Sequence, residues 1–272
     1  SENIIDPAER AGEALYEFYE LLADPDKAKG IPFSVTNQNG FHKGFPTLDY
    51  ALNGAGGGDL IIIAAKTGHG KTALAVSLAR LFSLYQNYAG YYENAEMRIR
   101  EMEARLLAPL AKVDSNEILY AKLQGTEQEK EAKQKRIGEA YERYRQSKLY
   151  LSRIPSLPLH KAKGLARQVK NRYKRLDYLI VDYVGRMSVE GKRNMQSWDE
   201  MYEIVKEMKE LAMTLNIPVF VLAQLNDEGK LEGAKKMANE ADGVLMLEPI
   251  SEKDDKYLNK MFEERKRKMI NY

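Results

Sequence analysis

The run Leu60-Ile61-Ile62-Ile63-Ala64-Ala65-Lys66-Thr67-Gly68-His69-Gly70-Lys71-Thr72 constrains the fold more than any other part of the chain. Its unbroken apolar stretch predicts a buried strand, its glycines a tight loop, and Thr72-Ala73-Leu74-Ala75 the start of a helix. Strand, glycine loop and helix in that order form the layout of a phosphate-binding P-loop. The N–H groups of the loop and of the helix N-terminus point at an anion, and the helix dipole favours negative charge there. Ala65, Lys66, Thr67, Gly68, His69, Gly70, Lys71, Thr72 and Ala73 are therefore the candidates for cradling a nucleoside triphosphate, taken as ATP. In such a loop the lysine, Lys71, reaches the β- and γ-phosphates, and the Thr72 hydroxyl sits on a magnesium ion. One position departs from the strict G-x-x-x-x-G-K-[ST] pattern: the first is Ala65.

A chain of 272 residues has room for one large α/β domain and a short appendage. The formal net charge of +2 gives no global polyanion signature, so any nucleic-acid contact must come from local loops. The absence of cysteine excludes a disulfide framework, a cysteine nucleophile and thiolate metal sites. His42, His69 and His160 lie far apart in sequence, which argues against a histidine metal site. No apolar run approaches a membrane span, and Ser1-Glu2-Asn3-Ile4-Ile5-Asp6 lacks the regions of a signal peptide. The expectation is a soluble, cytoplasmic protein.

Along the chain, Ala11, Ala14, Leu15, Phe18, Leu21 and Leu22 recur at helical spacing, predicting an amphipathic helix over 7–23. Residues 1–26 read as an N-terminal arm, 27–43 as a linker rich in Gly, Pro and Asn, and 44–272 as the main domain. Ala89 to Asn94 predicts a second strand, and Arg98 to Arg145 a long charged helical stretch. Leu149-Tyr150-Leu151 predicts a strand and Lys161 to Lys174 a helix. Leu176 to Tyr183 predicts a buried strand ending in an acid. Ser197-Trp198-Asp199-Glu200 has capping-box spacing at the start of a helix whose apolar stripe is Met201, Val205, Met208, Ala212 and Leu215. Ile217 to Leu222 and Gly243 to Leu247 predict further strands. Apolar strands alternating with helices argue for a mostly parallel sheet covered on both faces.

Nucleotide hydrolysis also needs a carboxylate for hydrated magnesium, usually at the end of a neighbouring strand. Asp182 follows Leu179-Ile180-Val181 and fits that role. A second carboxylate must orient the attacking water, and both Glu93 and Glu96 lie close after the second strand. Gln224 ends a strand and can hydrogen-bond a γ-phosphate, a bond lost after hydrolysis.

From Gly44 to Leu247 the chain resembles the RecA-like motor domain of the hexameric DnaB-type replicative DNA helicases. The resemblance rests on Gly44-Phe45-Pro46-Thr47-Leu48-Asp49, Gly58 to Ala65, Glu96-Met97 with Arg105-Leu106-Leu107-Ala108, Val181-Asp182-Tyr183, Ile217 through Asn226, and Ala241-Asp242. It implies a RecA-like P-loop ATPase fold, ATP and Mg2+ as cofactors, and Glu96 rather than Glu93 as the catalytic glutamate, with Lys71 and Gln224. It also implies a homo-oligomeric, hexameric ring on single-stranded DNA, with primase and a helicase loader as partners. The DNA-facing loops would follow Asp182 and Gln224, where Arg186, Lys192, Arg193, Lys230, Lys235 and Lys236 sit. Departures from the family pattern are Asp227 where a basic residue is expected, a short loop up to Glu240, and no recognisable trans-acting basic finger before Tyr272. These suggest a fragment, or a reduced phage- or plasmid-type relative. The same residues would serve a RecA-fold ATPase of recombination or repair, or an oligomerising module with weak hydrolysis.

Overall fold

The structure is a computed structural model that describes residues 6–24, 30–36, 42–155, 157–182, 187–188, 197–225, 237, 239–251 and 254–256. Helix α1 (Pro7–Ala23) starts at Asp6, whose carboxylate accepts from Ala8 N–H at 2.8 Å, with proline in the first turn. There follow strands β1 (Ser34–Thr36) and β2 (His42–Gly44), helix α2 (Pro46–Leu52), strand β3 (Leu60–Ala65) and helix α3 (Lys71–Ala79). A π-helical turn (Arg80–Tyr85), β4 (Gly90–Asn94), α4 (Ile99–Ala111), α5 (Ser115–Leu119), α6 (Glu127–Gln146) and β5 (Leu149–Arg153) come next. The remainder is β6 (Leu157–Pro158), α7 (Leu159–Tyr173), β7 (Tyr178–Asp182), β8 (Met187–Ser188), α8 (Ser197–Leu215), β9 (Val219–Gln224) and β10 (Gly243–Leu247).

Six strands form one sheet in the order β10-β3-β9-β7-β4-β5, and every pairing in it is parallel. Parallel strands need both faces covered, which is why β3, β4 and β7 are buried along their whole length. Successive side chains point to opposite faces. Leu60, Ile62, Ala64, Leu179 and Val181 pack under α7 and α8 with Val205, Met208 and Ala212. Ile61, Ile63, Tyr92, Tyr178 and Phe220 pack under α3 with Val76, Leu78 and Phe82. The outer strand β10 is covered less completely: Val244 is 37% and Met246 49% exposed.

One expectation is corrected and one refined. The segment 27–43 is not simply a linker. β1 and β2 pair antiparallel, Ile31 and Phe33 are buried, and Phe33 lies 5.8 Å from Phe82 and 6.2 Å from Phe220. Asp49 secures this hairpin, accepting from Phe33 N–H at 2.6 Å and from the Ser34 hydroxyl. The charged helical stretch Arg98 to Arg145 resolves into three helices. Lys112 ends α4 in the left-handed conformation, Asp114 and Glu117 cap α5 reciprocally, and Thr126 and Glu129 do the same for α6.

The π turn after α3 has an identifiable cause. The buried Tyr178 hydroxyl lies 2.6 Å from the Ser83 hydroxyl and donates to the Ala79 carbonyl at 3.2 Å. The ring passes over Gly90, where any Cβ would sit 2.0 Å from Tyr178 Cζ. A side chain inserted against a helical carbonyl is one of the known ways to disturb the ladder.

Candidate functional site

Because the sheet is parallel, its strands all end at one edge, and loops there converge. Register puts Ala65 of β3 beside Gln224 of β9, and Asp182 of β7 beside Asn94 of β4. The chain thus gathers four sequence-distant strand ends around the loop Lys66–Gly70.

In that loop Gly68 and Gly70 have φ of 78° and 88°, a region costly to other residues, and open space surrounds both. Gly70 precedes α3, and no side chain caps the helix. Its first N–H groups are therefore free to meet an anion. Ala65, the departure from the glycine pattern, is the last residue of β3, fully buried and without positive φ. An extended strand end does not need glycine, so the loop geometry survives the change. The Lys71 ammonium donates to the Ala65 carbonyl at 3.3 Å. Thr67, Gly68, His69, Gly70 and Ala73 are exposed, while Lys66, Lys71 and Thr72 are half-buried.

Asp182 is 1% exposed. Its Oδ2 accepts from the Tyr92 hydroxyl at 2.7 Å, while Oδ1 is buried without a hydrogen-bond partner. Burial pushes its carboxyl above the usual range, the Tyr92 and Thr72 hydroxyls and the Lys71 ammonium pull it back, and Glu96 pushes it up. One buried carboxylate therefore senses the lysine and threonine of the loop and the nearby glutamate. Among the described residues no group of three or more His, Asp and Glu could cage a metal. Magnesium does not require such a cage, since it keeps several waters and takes one or two protein ligands plus phosphate oxygens. Thr72 and Asp182, with its partnerless Oδ1, fit that donor set.

The two candidate glutamates part company in the structure. Glu93 is 1% exposed, shares the sheet face of Tyr91 under α7, and points away from α3. Neither of its carboxylate oxygens has a hydrogen-bond partner, and burial pushes its pKa well above the usual range. Glu96 is exposed, just past the end of β4. The buried Asn94 shapes the turn that presents it: Oδ1 accepts from Glu96 N–H at 3.0 Å and Met97 N–H at 2.8 Å. Its amide donates to the Met97 carbonyl. Gln224 closes the site from β9, donating from Nε2 to the Thr67 hydroxyl at 2.6 Å.

Sequence reasoning missed Tyr92 and Asn94. Asn94 carried a signal, since an asparagine two residues before a presented acid forms an Asx turn. Tyr92 carried none, because its partner lies 90 residues away. Asp242 sits at the opposite end of the sheet, where its Oδ2 accepts from Leu60 N–H and from the Lys209 ammonium, both at 2.7 Å. It latches β10 to β3 and is not part of the site. Arg186, Lys192, Arg193, Lys230, Lys235 and Lys236 lie outside the described residues.

A family model described as the DnaB-like helicase C-terminal domain matches residues 40–246. The chain belongs to that family. It is 30% identical over 190 residues to the "Replicative DNA helicase DnaB" of Leifsonia xyli subsp. xyli, covering 70% of this chain and 40% of the relative. It is 29% identical over 250 residues to the "Probable plasmid replicative DNA helicase" of Chlamydia trachomatis, covering 88% of this chain and 51% of the relative. The DnaB-like chain thus spans between two-fifths and half of the length of these curated relatives. Among solved structures it superposes on the "ATPase Domain of G40P" with a TM-score of 0.74 at 20% identity, covering 88% of this chain and 83% of that one. A second similar structure is "The Structure Of A DnaB-Like Replicative Helicase And Its Interactions With Primase", with a TM-score of 0.64 at 21% identity, covering 79% and 48%. The architecture is the RecA-like α/β fold of these helicase ATPase domains. No helix among the described residues is long and apolar enough to cross a membrane.

Proposed function

We propose that this DnaB-like chain is the motor domain of a replicative DNA helicase, hydrolysing ATP to translocate on single-stranded DNA and unwind duplex in the cytoplasm. The observation that carries the reading is the convergence at one sheet edge of an anion-ready loop, a buried acid and an exposed acid on a pinned turn. Lys71 meets the β- and γ-phosphates, and the N–H groups from Gly68 to Thr72 cradle them. Thr72 and Asp182 would hold magnesium, which would supply charge neutralisation on the phosphates. Glu96 orients and deprotonates the attacking water, with Asn94 and the start of α4 fixing its position. Arg98 N–H donates to Glu101 at 3.1 Å there, so the turn is held from both sides. Gln224 contacts the γ-phosphate and, donating to the Thr67 hydroxyl, ties the end of β9 to the loop Lys66–Gly70. Catalysis of phosphoryl transfer is mostly positioning and charge stabilisation, which is what this set of residues supplies.

By the same reading the chain works as a homo-oligomeric ring of six, contacts DNA through Arg186, Lys192, Arg193, Lys230, Lys235 and Lys236, and meets a primase and a loader. The test is strand displacement on a forked duplex. ATP-dependent displacement that disappears in Lys71→Ala is expected. Vigorous DNA-stimulated hydrolysis without any displacement would contradict the helicase reading.

A further inference from the structure

Between Glu142 and Asp177 the chain has no acidic residue, and the 34 positions between them hold eleven lysines and arginines. The whole chain has 42 basic and 40 acidic residues, so this run is a sharp local departure from an even mixture. Part of it serves the fold. β5 is the edge strand of the sheet, and Arg153 on it disfavours edge-to-edge pairing. That does not account for α7, which covers one sheet face rather than the edge.

Helix α7 turns Leu159, Ala162 and Ala166 into the core. Lys163 pairs with Glu207, and Lys170 donates to the Leu215 carbonyl at 2.7 Å, so both tie α7 to α8. Arg175 pairs with Asp177 at 2.7 Å. Lys161, Arg167, Arg172 and Lys174 remain exposed, with no carboxylate partner among the described residues. A shallow depression opens at Gly164, where a Cβ would meet nothing within 4 Å, and Arg167, Gln168, Asn171 and Arg172 rim it. The rim is all hydrogen-bond donors and amides, without an acid. At one end Tyr173, 43% exposed, stacks on Tyr150 with ring centroids 3.9 Å apart and planes 14° from parallel. The Arg172 guanidinium lies 5.4 Å from the centre of the Tyr173 ring.

We propose that the outer face of α7 binds the phosphate backbone of a single DNA strand along the flank of the domain, apart from the loops after Asp182 and Gln224. From Lys161 to Arg172 the helix rises about 16 Å, long enough to meet several successive phosphates. The cationic, acid-free face selects a polyanion. The stacked tyrosines favour a single strand over a duplex, because only unpaired bases can lie against an aromatic ring. The α8 flank carries Glu207, paired with Lys163, and Glu200, Glu203 and Glu210 at helical spacing from it, so the strand would run on the side facing β5. The inference rests on the reading of the chain as a motor on single-stranded DNA.

The experiment is fluorescence anisotropy of a labelled oligothymidylate with the 272-residue chain and a non-hydrolysable ATP analogue, titrated with salt. The double variant Arg167→Gln/Arg172→Gln is expected to lower the slope of log affinity against log salt by about 1.4, at about 0.7 per lost phosphate contact. Tyr173→Leu should weaken binding at every salt concentration with little change of slope. Lys135→Gln, on the exposed mixed-charge helix α6, should change neither. An unchanged slope in the double variant, with normal wild-type binding, would overturn this inference alone and leave the face to an acidic protein. A wild-type chain that binds no oligonucleotide would overturn it together with the motor reading.

Discussion

Tyr92→Phe removes one oxygen from the centre of the site and leaves the buried ring in place. That oxygen donates to Asp182 Oδ2 at 2.7 Å, and Oδ1 has no partner of its own. A hydrogen bond to a charged group contributes about 1.5–3 kcal/mol. Thr72 and Lys71 still lie close to the carboxylate, so the lower end applies. At about 1.4 kcal/mol per factor of ten, the variant should need about ten-fold more magnesium for half-saturation. The assay is binding of a fluorescent ATP analogue titrated with Mg2+, with a metal-free control. Metal-free binding should hold, because the loop and α3 are untouched. An unchanged magnesium requirement would refute the positioning role of Tyr92. So would an equal loss of affinity with and without metal, which would mean general damage to the fold.

Glu96→Gln should bind ATP and magnesium yet hydrolyse poorly, whereas Glu93→Gln should keep turnover; the opposite pattern in steady-state assays would reverse the assignment. Burial pushes the Glu93 carboxyl well above the usual range, so its cost to stability grows as pH rises above the ordinary carboxylate range. Thermal melts of Glu93→Gln should therefore exceed wild type at about pH 8 and converge with it at about pH 4. Glu117 is the opposite case: the Lys133 ammonium and the backbone N–H groups of Gln124 and Asp114 hold its carboxyl down at about 2. Its stabilising contribution is present above the ordinary carboxylate value and fades as pH falls toward 2, so wild type should outlast Glu117→Gln near neutrality and lose that lead in acid. Helix α1 exposes Leu15, Phe18, Tyr19 and Leu22 at 53–60%. Deleting residues 1–26 should lower the mass seen by light scattering while circular dichroism shows a folded remainder, and an unchanged mass would count against α1 as an assembly element.

Much of this was legible in the sequence because buried parallel strands are continuous apolar runs. β3, β7 and β9 announce themselves, and with them the loop at Lys66–Gly70 and the acid at Asp182. What the sequence hides is pairing at long range. Among the described residues the segment leading into the β1–β2 hairpin has Ile31 and Phe33 as its deeply buried anchors, amid Gly, Pro and Asn that read as loop. The burial of Glu93 on the sheet face of Tyr91, away from the cluster under α3, follows from the pairing of β4 with β7, which no local pattern shows. The charged stretch after Arg98 conceals its breaks, since Lys112 closes α4 in a left-handed conformation that glycine would have advertised.

The most direct test of the central claim is magnesium-dependent ATP hydrolysis by this chain, measured with and without single-stranded DNA, beside Lys71→Ala. The account predicts hydrolysis that single-stranded DNA accelerates and that the lysine variant abolishes. Equal turnover in Lys71→Ala, or no magnesium-dependent hydrolysis in the wild-type chain under either condition, would contradict it.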